Sequence, residues 1–454
     1  MEVVESAVSL KTGITGMRAF IVFWIGQVVS LLGTGMSSFA LALWAWQLTG
    51  EATTLALMGL FQFTPGLLLG PVAGTLVDRW DRKLTLMVSD LGAGLTSVAV
   101  FVLYASGNLQ IWHLYVAVAI ASAFESFQFP AQSAAVTTML SKDQYARASG
   151  MLGLAGSASH IFAPPLAGFL FAIIGINGIL LIDIVTFIFA ISMVLLIAVP
   201  NPPETSEGRA SRSQGLGREV AYGFTYIFQR PALLGLQLTF FFINLFGTLS
   251  FVLTIPMILS RTGNNQGLAG IVVSFLGIGG LVGGLTLSIW GGPKRRIHGV
   301  LLGMAAVSLL GTMGLGLAQT GWGWIAGAFF SAAFIPVLNG SNQAIWQSKV
   351  APDIQGRVFA VRRLIGQITA PLAMIIAGPL ADRVFEPAMM PGGGLAGIFG
   401  GIVGTGPGAG MGLIFVISGM IGALIGLGGY LFPFIRNAED LLPDHQTGAI
   451  QEKE

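Results

Sequence analysis

The stretch ASAFESFQFPAQSA, residues 121–134, sets one carboxylate, Glu125, among apolar residues with no cation beside it. Ser122, Gln128 and Gln132 stand three residues before, three after and seven after it, which is the spacing of one helical face. A charge far from water is costly and commonly marks an ion or substrate path. Withdrawal from water favours the protonated carboxyl, so an acid on a polar helical face suits proton uptake and release. Glu125 is the leading proton-coupling candidate. Asp183 lies within another apolar run and reads equally well as structural. His160 sits beside a run of small residues, where bridging two helices suits it better than relaying protons. Asp90 follows Lys83 by seven residues on the same helical face and reads as a partner for the cations there.

Polar stripes recur at helical spacing elsewhere. Gln27, Ser30 and Thr34 form one, Gln237 and Asn244 a second, and Asn339, Asn342 and Gln343 a third; Gln367 stands alone. With Gln128 and Gln132 they read as the lining of a cavity. Many Met and Phe residues surround these amides, which suits an amphiphilic organic compound better than a sugar or a phosphate. No cationic pair directed inward for an anionic metabolite is evident. His-Glu-x-x-His and Gly-x-Ser-x-Gly motifs are absent, as is any metal-ligand cluster. Cys is absent too, which excludes disulfides and thiolate chemistry. No enzyme activity, cofactor, metal or nucleic-acid partner is expected.

The elements that position these groups must lie in a bilayer. Of 454 residues, 54% are hydrophobic and only 9% are charged, whereas soluble domains carry about 25% charge. A spanning helix needs roughly 20 apolar residues. Such runs fall at 19–47, 54–77, 84–105, 111–139, 147–172 and 176–199, then at 232–260, 266–290, 297–318, 322–348, 358–382 and 411–435. They are spans 1 to 12. The first is too long for the apolar part of a cleavable signal. Lys and Arg concentrate on cytoplasmic loops. With a cytoplasmic N-terminus, all 22 of them fall inside except Arg261 and Arg383, so both termini are expected in the cytoplasm.

The polar segment 200–231 divides two sets of six spans. Its later part sets Leu216, Val220, Phe224 and Phe228 at helical spacing, as in an amphipathic helix on the inner membrane surface. A weak repeat relates the halves. Gly66, Gly70 and Gly74 form a ridge on span 2, matched by Gly280 and Gly284 on span 8. Ser159-x3-Ala163-Pro164 of span 5 is matched by Gly366-x3-Ala370-Pro371 of span 11, and the preceding loops carry Gln144-x2-Arg147 and Gln355-x-Arg357. Duplicated halves with the substrate at their interface are how alternating-access transporters are built. The outer loop 384–410 is rich in Gly and reads as a mobile or re-entrant segment.

The stretch AGTLVDRWDRK, residues 73–83, crowds Asp78, Arg79, Asp81, Arg82 and Lys83 between spans 2 and 3. Gly74-x-Leu76-x-Asp78-Arg79-x2-Arg82-Lys83 resembles the signature loop of the major facilitator superfamily, with Asp81 where that family usually has Gly. VDRWDRK, FQFPAQSA and QGRVFAVRR resemble the twelve-span drug–proton antiporter branch that includes siderophore exporters and macrolide efflux pumps. Gly150-x8-Ser159-x3-Ala163-Pro164-x2-Ala167-Gly168 resembles that branch's antiporter motif, softened by Ser and Ala in place of three glycines.

The resemblance implies an all-α integral membrane protein with twelve transmembrane helices in two pseudo-symmetric six-helix bundles. The bundles would be 19–199 and 232–435, with cytoplasmic segments 1–18, 200–231 and 436–454. It implies proton-coupled export of a small amphiphile by a monomer in the inner or plasma membrane. Import or facilitated diffusion of a metabolite and flipping of a lysolipid are the alternatives on this fold. It also implies that Asp78 meets the N-terminal end of span 11, where Arg357, Arg362 and Arg363 lie, in a cytoplasmic latch. A helix N-terminus favours an anion. The span 4 arginine common in such antiporters is missing here.

Overall fold

The computed structural model describes residues 14–77, 80–140, 144–199, 224–350 and 355–441. Gly74, Gly150 and Arg357 are placed as backbone only, and the later part of the central segment is described from Phe224 onward. Among the described residues there is no strand, only an isolated bridge between Ile14 and Ile197.

Ten helical stretches are long and apolar enough to cross a membrane. One of them, Met151–Leu196, has 46 residues. It turns over at Gly175, where φ is 63°, a conformation that strains any residue with a Cβ, so it holds both span 5 and span 6. Ile111–Met139, with 29 residues, is span 4, and the crossings come to twelve among the described residues. Span 1 is Gly16–Thr49, span 2 Ala52–Val77, span 3 Arg82–Ala105 and span 8 Gln266–Trp290. Spans 7 and 9 to 12 carry short irregular turns, including π-helical turns at Val307–Met313 and Ala381–Phe385.

Caps mark where the apolar runs end. Asp81 accepts from the Leu84 amide to start span 3, and Asn265 does so from Leu268 to start span 8. Each satisfies an amide that the helix itself leaves unpaired. Large apolar side chains point away from the protein: Ile289 is 88% exposed, Trp322 82% and Leu431 80%. Faces of this kind belong in lipid, where the backbone must satisfy itself within helices.

Two compact units divide the chain. Unit 1 comprises Met1–Ser38, Thr64–Ser159 and Ile174–Thr205. Its core joins Phe20 and Phe23 of span 1, Leu86 of span 3, Ala131 and Ala135 of span 4, and Val194 of span 6. Unit 2 comprises Phe39–Phe63, His160–Ile173 and Ser206–Glu454. Its main core joins Leu233 and Leu236 of span 7, Ile297 and Leu301 of span 9, Trp346 of span 10 and Val361 of span 11. Residues 224–228 are helical, and Phe224 packs against that core while Phe228 is exposed; Leu216 and Val220 lie outside the described residues.

Two expectations change. The outer loop is an ordered element, with helices at Glu386–Met389 and Ala396–Val403. Met389, Val403, Leu413 and Val416 bury one another beneath it. The Glu386 carboxylate accepts from the Gly408 and Met411 amides at the start of span 12, and Arg261 donates to the Val403 and Gly408 carbonyls. One acid and one base thus hold the glycine-rich backbone. The second change concerns the ridge on span 8. Gly280 and Gly284 face open space, and the close contact passes one residue earlier. A Cβ on Gly279 would lie 2.3 Å from the Phe329 carbonyl oxygen, and one on Gly283 would lie 1.9 Å from that of Ala333. Small residues let backbones meet in lipid. Gly283→Ala must push span 10 away, and overpacking of this kind costs about 1–3 kcal/mol. We expect a lower melting temperature in a detergent-solubilised thermal melt, whereas Gly284→Ala should melt like the parent.

Candidate functional site

In unit 1 the polar residues fall into two hydrogen-bonded groups. Asp90 is buried. It accepts from Gln128 Nε2 at 2.6 Å and Gln27 Nε2 at 3.3 Å, and Gln132 Nε2 donates to Gln27 Oε1 at 3.1 Å. Spans 1, 3 and 4 are tied together through these amides. Among the described residues the donors to Asp90 are these amides, and Lys83 is not one of them. Lys83 instead donates to the Leu195 and Ile197 carbonyls, at 3.0 and 2.7 Å. Span 6 ends there, and the last carbonyls of a helix are both unpaired and partially negative. A flexible ammonium near the start of span 3 reaches them more easily than it reaches a carboxylate two turns along its own helix.

The second group is built on Asp183, which is 2% exposed. It accepts from Thr34 Oγ1 at 3.2 Å and Ser97 Oγ at 2.7 Å, linking spans 1, 3 and 6. Gly33 makes room for it: a Cβ there would strike Thr186 Oγ1 at 2.1 Å and crowd Asp183 Oδ1 at 3.2 Å. Glu125 differs from both. It is exposed on unit 1, and Asp183 is close enough to act on it electrostatically. Among the described carboxylates inside the spans, Glu125 alone has no hydrogen-bond donor. His160 is exposed.

In the charged loop, Asp81 caps span 3, which explains an acid at that place. Asp78 and Arg79 lie outside the described residues. The span 5 motif is legible in both units. Ser159 Oγ donates to the Leu31 carbonyl at 2.6 Å within unit 1. Ala163, Pro164, Ala167 and Gly168 are buried in unit 2. A Cβ on Gly168 would lie 2.6 Å from Gln266 O, and one on Gly270 would lie 2.5 Å from Pro164 O. The small residues therefore let spans 5 and 8 touch backbone to backbone.

Unit 2 also draws the adjoining ends of spans 1 and 2 to the second half. Trp46 Nε1 donates to Asn264 Oδ1 at 2.9 Å. The Asp382 carboxylate accepts from the Ala52 and Thr53 amides at 3.0 and 2.8 Å and from Thr53 Oγ1 at 2.6 Å. It is the N-terminal cap of span 2, supplied by span 11. Sequence reading missed Asp382. The signal was there: Asp382-Arg383 repeats the Asp78-Arg79 pair at the opposite predicted face.

A cavity of about 390 Å³ opens in unit 2, and Gln237, Asn244, Asn339, Asn342 and Gln343 are among its lining residues. Gln367 is not among the described lining residues. Arg362 and Arg363 are, so the cavity has the inward cations that were not evident from sequence. Arg362 Nη1 donates to Gln343 Oε1 at 2.8 Å. Its guanidinium carbon lies 5.0 Å from the Trp346 ring centre and 5.9 Å from that of Phe359. Among the described residues, no group of three or more potential metal ligands is gathered.

Comparison with known proteins agrees with this architecture. The profile of the family described as Major Facilitator Superfamily matches residues 23–374. The chain is 27% identical to macrolide efflux protein A of Streptococcus pyogenes over 382 residues, covering 80% of this chain and 90% of that protein. It is 25% identical to the multidrug efflux pump Tap of Mycobacterium bovis over 384 residues, covering 80% and 87%. Among solved structures, a bacterial homologue of the human lysosomal transporter Spinster superposes with a TM-score of 0.67 at 12% identity, over 95% of this chain and 100% of that one. A bacterial homologue of the iron transporter ferroportin does so with a TM-score of 0.64 at 12% identity, over 90% and 98%.

Proposed function

Because the chain belongs to the Major Facilitator Superfamily, we propose that it is a proton-coupled exporter of a small amphiphilic organic compound. It works as a monomer by alternating access, in the inner or plasma membrane, with both termini in the cytoplasm. The observation that carries this reading is Glu125. It lies mid-way along span 4 and is exposed with no hydrogen-bond donor, while Asp90 and Asp183 are buried and satisfied. A carboxylate kept free of partners at membrane depth can exchange a proton with a substrate-bearing cavity, and a satisfied one cannot do so cheaply. The softened antiporter motif of span 5 and the efflux roles named for two relatives support export.

Energised inside-out vesicles test the reading. A panel of amphiphilic drugs, siderophores and lysolipids is added while internal pH is followed. Proton release that begins with one class of compound supports antiport. Substrate equilibration without proton movement would replace the exporter with a facilitator. The cytoplasmic latch has its own test. Asp78→Asn keeps the side chain's size but removes the charge that would complement the N-terminal end of span 11. We expect normal insertion and greatly reduced turnover; unchanged turnover would dismiss the latch.

A further inference from the structure

Unit 2 has two cavities that share lining residues, one with cations in its wall and one without. The first contains Arg362 and Arg363 with the amides of Gln237, Asn342 and Gln343. The second, of about 320 Å³, shares Asn244 and Asn339 with the first and continues between Leu276, Val307, Leu315 and Phe415. We infer that this double cavity binds an amphiphile with a compact anionic head, seated at Arg362, and an apolar body, seated in the second chamber. The inference rests on the exporter reading for the use made of the site, not for its existence.

Arg362 carries the argument. A guanidinium has five donors in a planar fork that fits a carboxylate or phosphate. One is given to Gln343 Oε1, and the Trp346 and Phe359 rings hold the charge in place, as aromatic faces do for cations. Among the described residues no carboxylate pairs with Arg362. A half-buried cation gains from an anion brought within reach of its free donors. The neighbouring amides offer both donors and acceptors. The second chamber has no charged lining residue, which suits an alkyl or aryl body and disfavours a second charge.

The test is equilibrium binding to the full chain in zwitterionic phosphatidylcholine nanodiscs without any proton gradient, with empty nanodiscs subtracted. Decanoate and decyltrimethylammonium are the probes, because they share an apolar chain and differ in the sign of the head. Charge-assisted hydrogen bonds are strong enough that decanoate should bind about tenfold or more tighter than the cation. Arg362→Gln should weaken decanoate by about ten- to a hundredfold and reduce the preference to what Arg363 alone supports, while Arg362→Lys keeps more of it. Butyrate, with too short a chain to fill the second chamber, should bind more weakly than decanoate. Equal binding of the two probes, preference for the cation, or unchanged decanoate affinity in Arg362→Gln would overturn the inference. The preference of the parent protein decides the matter even if Arg362→Gln does not fold. Charge-selective binding with no proton release in vesicles would defeat the exporter reading alone.

Discussion

Glu125→Gln is expected to abolish substrate-driven proton movement while the protein still folds and inserts. The amide matches the carboxyl in size and polarity, but it has no proton to exchange. Glu125 is exposed and makes no hydrogen bond among the described residues, so its replacement breaks none there. In energised inside-out vesicles, proton release on adding substrate should fall to the level of empty vesicles. Substrate counterflow without a gradient should persist, because binding and alternation do not need that proton. Asp183→Asn is the control. Asp183 is buried and accepts from Thr34 and Ser97, and the amide disturbs those bonds. Leaving a buried polar group badly paired costs about 1–3 kcal/mol, which should lower the melting temperature. Uphill pumping by Glu125→Gln would remove Glu125 from the coupling mechanism.

Asp382→Asn is expected to loosen the attachment of span 2 to span 11. The Asp382 carboxylate caps the first amides of span 2 and binds the Thr53 hydroxyl. Beside it, Gly378 packs so closely that a Cβ would lie 2.3 Å from the Thr53 Cα. An anion at a helix N-terminus gains from both the free amides and the helix dipole. Asn keeps one oxygen, loses the charge, and presents an NH2 group to other donors. Replacing an N-cap by Ala costs about 0.5–2 kcal/mol, and Asn, which retains one acceptor, should lose part of that. The chain has no Cys, so spin labels attached at Glu51→Cys and Arg383→Cys report this junction without background. Double electron–electron resonance should show one short distance in the parent and a second, longer population in Asp382→Asn. If the chain works by alternating access as proposed, substrate transport should change with it. A single short distance in Asp382→Asn would mean that glycine packing, not the cap, holds the junction.

Much of the molecule was legible along the chain. The length of the apolar runs determined the membrane class and the crossings, because each helix entering lipid must satisfy its own backbone and present apolar side chains. That requirement is local and is written into consecutive residues. The amides of spans 7 and 10 were legible as cavity lining for a related reason: polar residues on one helical face of an apolar span avoid lipid. Glu125 stood out on the same grounds.

Partner choice was not legible, because it is made between helices far apart in sequence. Asp90 shares a helical face with Lys83, yet its donors come from Gln27 and Gln128. The outer loop read as mobile or re-entrant by composition, and only the structure shows Glu386 and Arg261 holding its backbone. Arg362 looked like part of a cytoplasmic cluster, and only the turn of span 11 sets it against Trp346 in a cavity. On span 8 a single residue of rotation decided whether glycines met a neighbour or open space. Lipid gives helices no apolar drive to associate, so shape and hydrogen bonds select the contacting face. The sequence by itself determined that this chain crosses the membrane and which polar residues it carries there. Tertiary structure alone decided which of its charges are satisfied and which remain available to a proton or a ligand, because that depends on what the facing helices bring within hydrogen-bond reach.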